Sequence, residues 1–428
     1  MKERLLHFIW QHKLFNTREL HTVQGEPITM LDFGTYNRHG GPDFLQARIR
    51  FGDIVLAGSV ELHVLASDWK AHGHQHDKAY NNVILHVVFI NDLADSHLPT
   101  LELNGRIPPL LLDRYHQMME DADFMLCKHT LPSLDICTMT NWKERLIIER
   151  LERKAAEILA HHQANNGDWE QTCYQLLGKY FGASVNQEAF ELLTQRLDYK
   201  ILLKHADRPE QQEALLFGMA GLLNKDFVDP YPRLLKQEFR FLQQKYSLVP
   251  LREQLWQFMR IRPISFPTIR LAWLASLLPQ FPLTQQLLSQ PDAVGWLENM
   301  GVSDYWKSHY LPDKASKFQE KKPGTAFKNI LFINVVVPLL YAYGIYTDDI
   351  ERKQAAIELL YSRPPEENNK VHIFPKEVWQ AETALDTQSM LELQQQYCAK
   401  KRCLECTVGH HILREPEMIN TFCFQEIV

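Results

Sequence analysis

The 428-residue sequence has little net charge: 46 Lys and Arg stand against 52 Asp and Glu, a formal balance of −6. So mild an acidity excludes a protein that coats nucleic acid by bulk electrostatics, although a local basic groove stays open. An apolar leader is not expected from the opening residues. The opening MKERLLHFIWQHKLFNTREL has a basic start, but its apolar run is broken at His7 and again at Gln11, His12 and Lys13. No export signal is therefore expected, and the cytoplasm is the expected location. Long apolar runs are scarce too. The longest, Ile330 to Tyr346, contains Asn334 and Pro338, is short for a bilayer and lacks basic flanking on one side. It reads as a buried core helix, and no membrane partner is expected. Seven cysteines, an odd number, argue against a disulfide scaffold. Walker A, Rossmann, Gly-x-Ser-x-Gly and kinase signatures do not occur, nor does a fixed-period repeat.

What is present is the composition of a folded protein, 45% hydrophobic with 11% Phe, Trp and Tyr, which excludes general disorder. The length is large for one hydrophobic core. Residues Glu3 to Phe15 read as an amphipathic helix. From Pro27 to Leu103 the pattern turns to strands, in ITMLDFGTYN, DFLQARIRF, IVLAGSVELHV and VILHVVFIND, bounded by Gly, Asn and Asp. From Asn141 onward the periodicity is helical, with Ser184 as a cap and further helices over 209–223, 232–246, 251–259, 268–278, 351–361 and 376–397. The segment Arg260 to Arg270, RIRPISFPTIR, reads as a nucleic-acid contact or as a rigid elbow between helices.

Chemistry concentrates in the hairpin NRHGGPDFLQARIRFGDIVLAGSVELHV. Glu61 and His63, two apart on one strand, share a face. If Gly52 and Asp53 are the whole loop, Asp43 lies opposite Leu62 and points away from both. A bulge shifts the register by one and brings Asp43 beside them, with Gly58 the expected place for it. Two carboxylates on one face would be hard oxygen ligands for Mg²⁺ or Mn²⁺ and suit hydrolysis of a phosphodiester. The alternative is an ordinary hairpin with exposed polar residues.

Pro42-Asp43 followed across a hairpin by Glu61-Leu62-His63 resembles the PD-(D/E)xK nuclease superfamily, the restriction-endonuclease-like fold. The resemblance implies that Asp43 and Glu61 bind Mg²⁺ or Mn²⁺. His63 stands where that pattern has lysine, and would position or deprotonate water. The loop SDWKAHGHQHDKAY adds His72, His74 and His76 at alternating positions between Asp68 and Asp77, a donor set suited to Zn²⁺, Mn²⁺ or Fe²⁺. It should hang over the same end of the sheet, so His74, Asp77 and Lys70 are candidate substrate contacts, and Lys70 or Lys78 a substitute for the missing ammonium. In YCAKKRCLECTVGHH the cysteines Cys398, Cys403 and Cys406 have the spacing C-x4-C-x2-C. With His410, His411 or Cys423 as the fourth ligand they could hold Zn²⁺ or an iron–sulfur cluster.

Taken over nearly its whole length, the ordering of GPDFLQARI, GSVELHVLASDW, YNNVILHVVF, RPISFPTIRLA and YCAKKRCLECTVG resembles a bacterial family catalogued as domain of unknown function 2851. That resemblance implies no activity. The expected protein is of the α+β class. A nuclease-like sheet domain over 1–135 is followed by a helical domain over 136–428, with a Cys-rich cap at 397–428. The expected role is a metal-dependent nuclease or a nuclease-derived nucleic-acid-binding protein, with a non-catalytic interaction or scaffold protein as the alternative.

Overall fold

Helix α1, Glu3–Gln11, buries Leu5, Leu6, His7, Phe8, Ile9 and Trp10 together. It ends four residues before Phe15. The His12 and Lys13 amides return to the Phe8 and Trp10 carbonyls, and Lys13 takes a left-handed φ of 56°, which turns the chain out of the helix. This computed structural model describes residues 1–37, 39–94, 98–120, 127, 134–183, 185–292, 295–366, 370–374 and 379–414; Ser184 and Cys423 lie outside the described residues.

Apart from a two-stranded ribbon later in the chain, His309–Leu311 with Lys314–Ala315, the seven described strands are β1 Leu20–His21, β2 Pro27–Asp32, β3 Thr35–Tyr36, β4 Phe44–Phe51, β5 Ile54–Leu65, β6 Val83–Ile90 and β7 Thr100–Glu102. They form one sheet in the order β1-β2-β4-β5-β6-β7, with β3 also paired to β4. The β1–β2, β2–β4 and β4–β5 pairs are antiparallel, while β5–β6 and β6–β7 are parallel. The parallel return to β6 runs through the short helix α2, Asp68–Ala71, and two single turns at His74–His76 and Lys78–Tyr80. The Val23 amide donates to the Thr100 carbonyl at 2.7 Å, so the sheet curls until its two outer strands nearly meet. Ile49, Val60, Leu62, Leu85, Val87 and Leu101 are fully buried, as are Leu5, Ile9 and Trp10 of α1.

Gly52 supplies the positive φ that the first position of a two-residue hairpin loop requires, and Phe51 pairs directly with Ile54. The register then shifts. Ala47 faces Gly58, but Phe44 faces Val60, so two residues of β4 oppose one of β5. The extra residue is therefore on β4 at Leu45–Gln46, where Gln46 has φ 62° and both side chains are exposed. The expected bulge exists, but not at Gly58. That glycine has a different reason: a Cβ there would come within 2.5 Å of Ile84 Cγ2 and 2.6 Å of the Asn82 carbonyl.

The chain divides into two compact units, Met1–Met139 with Leu393–Val428, and Thr140–Glu392. The C-terminal segment thus groups with the sheet, whereas the sequence-based division joined it to the helices. Within the sheet unit, α3, Pro109–Glu120, carries Arg114, which donates to the Ile412 carbonyl at 3.1 Å. His410 packs edge-on to Phe8 of α1.

The second unit is helical. Helix α4, Ile136–Ala164, extends five residues upstream of the expected start. Helices at Pro209–Met219, Pro230–Tyr246, Pro267–Leu277 and Ile350–Tyr361 match expected ones. Residues 251–259 form only a single turn, Glu253–Leu255, because their polar groups are drawn elsewhere. The Leu251 amide donates to the Met219 carbonyl and Trp256 Nε1 to the Ala220 carbonyl, strapping the segment across a helix end. Among the described residues one helix, Thr325–Tyr346, is long and apolar enough to cross a membrane, but residues 331–340 are all buried. Its π-helical turn Phe332–Val336 precedes Pro338, which has no amide to close an ordinary turn. Arg270, from the Arg-rich elbow, is buried with its guanidinium 3.8 Å from the Phe327 ring centre.

Candidate metal centre

The β4 bulge decides where Asp43 points. The paired ladder ends at Phe44 opposite Val60, and just beyond it Asp43 and Glu61 lie side by side. The two residues clasp each other through the backbone. The Asp43 amide donates to Glu61 Oε2 at 3.0 Å, and the Leu62 amide donates to Asp43 Oδ2 at 3.0 Å. Each carboxylate keeps one oxygen outside this clasp. Glu61 Oε1 lies 3.4 Å from His74 Nε2 and 3.8 Å from His63 Nε2, while Asp43 Oδ2 is also 3.2 Å from His7 Nε2 on α1.

The parallel β5–β6 pairing and the α2 crossover bring further imidazoles in. His63 Nδ1 is 2.9 Å from His86 Nε2 on β6, and His63 Nε2 is 3.2 Å from His72 Nδ1. One ligand atom each of His63, His72 and His74 lies within 4.8 Å of the others, a spacing that could hold one metal ion. Tyr80 stacks on His74 at 3.8 Å between ring centres, and Trp69 packs edge-on against His63 and His74.

Burial dominates the electrostatics. Glu61 is only 5% exposed, and burial, followed by the neighbouring Asp43 charge, raises its pKa to about 8. His63 is 1% exposed; burial first, then His86, His74 and His72, lower it to about 3. Burial likewise takes His86 down to about 4 and lowers His74. These rings are therefore neutral ligand-type imidazoles at neutral pH. The residues present fit a cation. Both ring nitrogens of His7 and Nε2 of His74 are buried and lack an aligned hydrogen-bond partner, although they stand close to carboxylates. An ion or an ordered water would satisfy them.

Of the residues singled out in the sequence, Asp43, Glu61, His63, His72 and His74 come together. Lys70, Lys78 and Asp77 do not join them: all are exposed, and Asp77 Oδ1 accepts the Ala79 amide to cap the Lys78–Tyr80 turn. His76 is exposed as well. The sequence reading did not single out His7 or His86, whose sole signal is a histidine inside an apolar run, LLHFIW and ILHVVF. Cys398 ends the π-helical turn Leu393–Cys398, Cys403 begins the turn Cys403–Glu405, and Cys406 is buried before the helix Thr407–Arg414.

Fold and site together define an α+β protein whose sheet unit carries a buried cluster of imidazoles and carboxylates. Residues 3–369 match the family model described as "Protein of unknown function (DUF2851)", and the chain belongs to that family. Neither a curated protein nor a solved structure matches it.

Proposed function

We propose that the sheet unit is a metal-dependent phosphodiester hydrolase acting on nucleic acid, built on a restriction-endonuclease-like core. The observation that supports this reading is the contact between Asp43 and Glu61 beyond the β4 register shift, where the Asp43 amide donates to Glu61 and the Leu62 amide to Asp43. The element order supports it: α1, three antiparallel strands β2, β4 and β5, then a crossover to the parallel β6. In this reading Asp43 and Glu61 hold the cation, joined by His74. Imidazole in the donor set favours Mn²⁺ over Mg²⁺. A bound divalent ion lowers the pKa of water and offsets charge developing on phosphate.

The chain's own groups do the rest. His63, neutral and fixed through Nδ1 by His86, sets Nε2 between His72 Nδ1 at 3.2 Å and Glu61 Oε1 at 3.8 Å, where it would position water. The Asp43–Leu62 and Glu61–Asp43 clasps hold both carboxylates in place before substrate arrives. Trp69 and Tyr80 wall the site against bulk water.

The test is to titrate the full chain with Mn²⁺ and to incubate it with single- and double-stranded DNA and RNA in Mn²⁺ or Mg²⁺. Cleavage that disappears in Asp43→Asn and Glu61→Gln is the expected result. No Mn²⁺ binding and no cleavage of any form would overturn it. Among the described residues no lysine is seen to contact the cluster, and Lys70 and Lys78 are exposed, which favours one other reading, a nuclease-derived binding or scaffold protein. Nucleic-acid binding without cleavage would single that out.

A further inference from the structure

Away from the histidine cluster, a second pocket in the sheet unit is lined by Cys127, Cys398, Cys403 and Cys406. Half of its eight lining residues are thus cysteines, and no carboxylate is among them. We propose that these four cysteines are the ligands of one iron–sulfur cluster, with Cys127 supplying the fourth thiolate. This site is independent of the hydrolase reading.

Three features of the pocket build it. The C-x4-C-x2-C segment is folded tightly around it: Gly409 presses against the Cys403 carbonyl so closely that a Cβ there would collide with it. Lys401 donates to the Met119 carbonyl at 2.6 Å, pinning this segment to the end of α3, close in sequence to Cys127. Arg402 donates to the Gln396 carbonyl at 3.2 Å and covers the Tyr397 ring. Neither histidine named for the fourth position lines the pocket: His410 Nε2 lies within hydrogen-bond distance of the Leu404 carbonyl, and His411 is exposed.

Spacing selects the kind of centre. The four thiols line one pocket. Yet among the described residues no three thiols join within 4.8 Å, as the histidines do. A single Zn²⁺ with bonds of about 2.3 Å would draw its tetrahedral sulfurs to about 3.8 Å from one another. Wider spacing suits a cluster, whose cysteines need not share one iron.

The full chain, expressed and purified without oxygen, is expected to carry iron and acid-labile sulfide with the broad visible absorption of thiolate-bound iron. Cys127→Ser and Cys403→Ser should each lose that iron, whereas Cys137→Ser, with an exposed cysteine outside the pocket, should keep it. Should a pocket variant fail to fold, the unsubstituted chain still decides: the four thiols should resist alkylation until iron is removed. Zinc without sulfide, no metal at all, or full iron in Cys127→Ser would overturn the proposal.

Discussion

Glu61 is a carboxyl group held against its own ionisation. Its folded-state pKa of about 8 exceeds the ordinary value of 4.5, so between these limits the folded chain binds a proton that the unfolded chain has lost. Stability contributed by the neutral acid is present below about 4.5 and is lost as pH rises toward 8. Glutamine keeps the shape and stays neutral. In the presence of chelator, Glu61→Gln is therefore expected to gain stability over the parent chain between pH 4.5 and 8. The gain is at most about 1.4 kcal/mol for each pH unit and level above 8. Urea unfolding at pH 5 and pH 8 measures this, and an equal difference at both values contradicts it. A residue that weakens the fold is what a cation site demands. At this scale the Asp43–Glu61 pairing was legible, because strand periodicity makes one residue of register equal to one change of face. His7 and His86 were not. Each lies in an apolar run that reads as core; only the packing of α1 brings His7 to Asp43, and only the crossover to β6 brings His86 to His63.

The hairpin is the element on which the site turns. Its two-residue loop could be read from Gly52-Asp53, and so could the need for a bulge. Its location could not, since Gly58 was the visible anomaly while Gln46 adopts φ 62° with no glycine to mark it. Gly58 serves the other neighbour: it lets the β6 approach bring Ile84 and Asn82 against β5. Gly58→Ala is expected to destabilise the protein by about 1–3 kcal/mol through overpacking and to weaken Mn²⁺ binding, because His86 rides on the displaced strand. Denaturant unfolding and Mn²⁺ titration check the two effects, and unchanged values in both would refute the account. Residues 251–259 teach the same lesson in the helical unit. Their local pattern is helical, but Leu251 and Trp256 are claimed by carbonyls of another helix, and tertiary hydrogen bonds override propensity.

At the scale of the molecule, the α+β class and the change from strands to helices near residue 136 were evident from periodicity. The return of the chain to its first unit was not, because nothing local in YCAKKRCLECTVGHH records a contact with residues some hundreds of positions earlier. A chain ending at Glu392 is expected to keep the thermal transition of the helical unit and to lose stability in the sheet unit, which no longer has the Arg114–Ile412 and Phe8–His410 contacts. Calorimetry resolves the two transitions, and an unshifted sheet-unit transition would count against this.

The discontinuous sheet unit also sets an order of events during synthesis. Chains emerge at roughly 5–20 residues per second, so the intervening helical unit of roughly 250 residues occupies the ribosome for tens of seconds. Throughout that interval α1, α3 and Cys127 exist without the segment that completes them. The helical unit can fold first, although its sequence begins later. If the four cysteines hold a cluster as proposed, it could be inserted only after Cys406 has left the exit tunnel, which would make metal delivery a late step that follows synthesis of the helical unit.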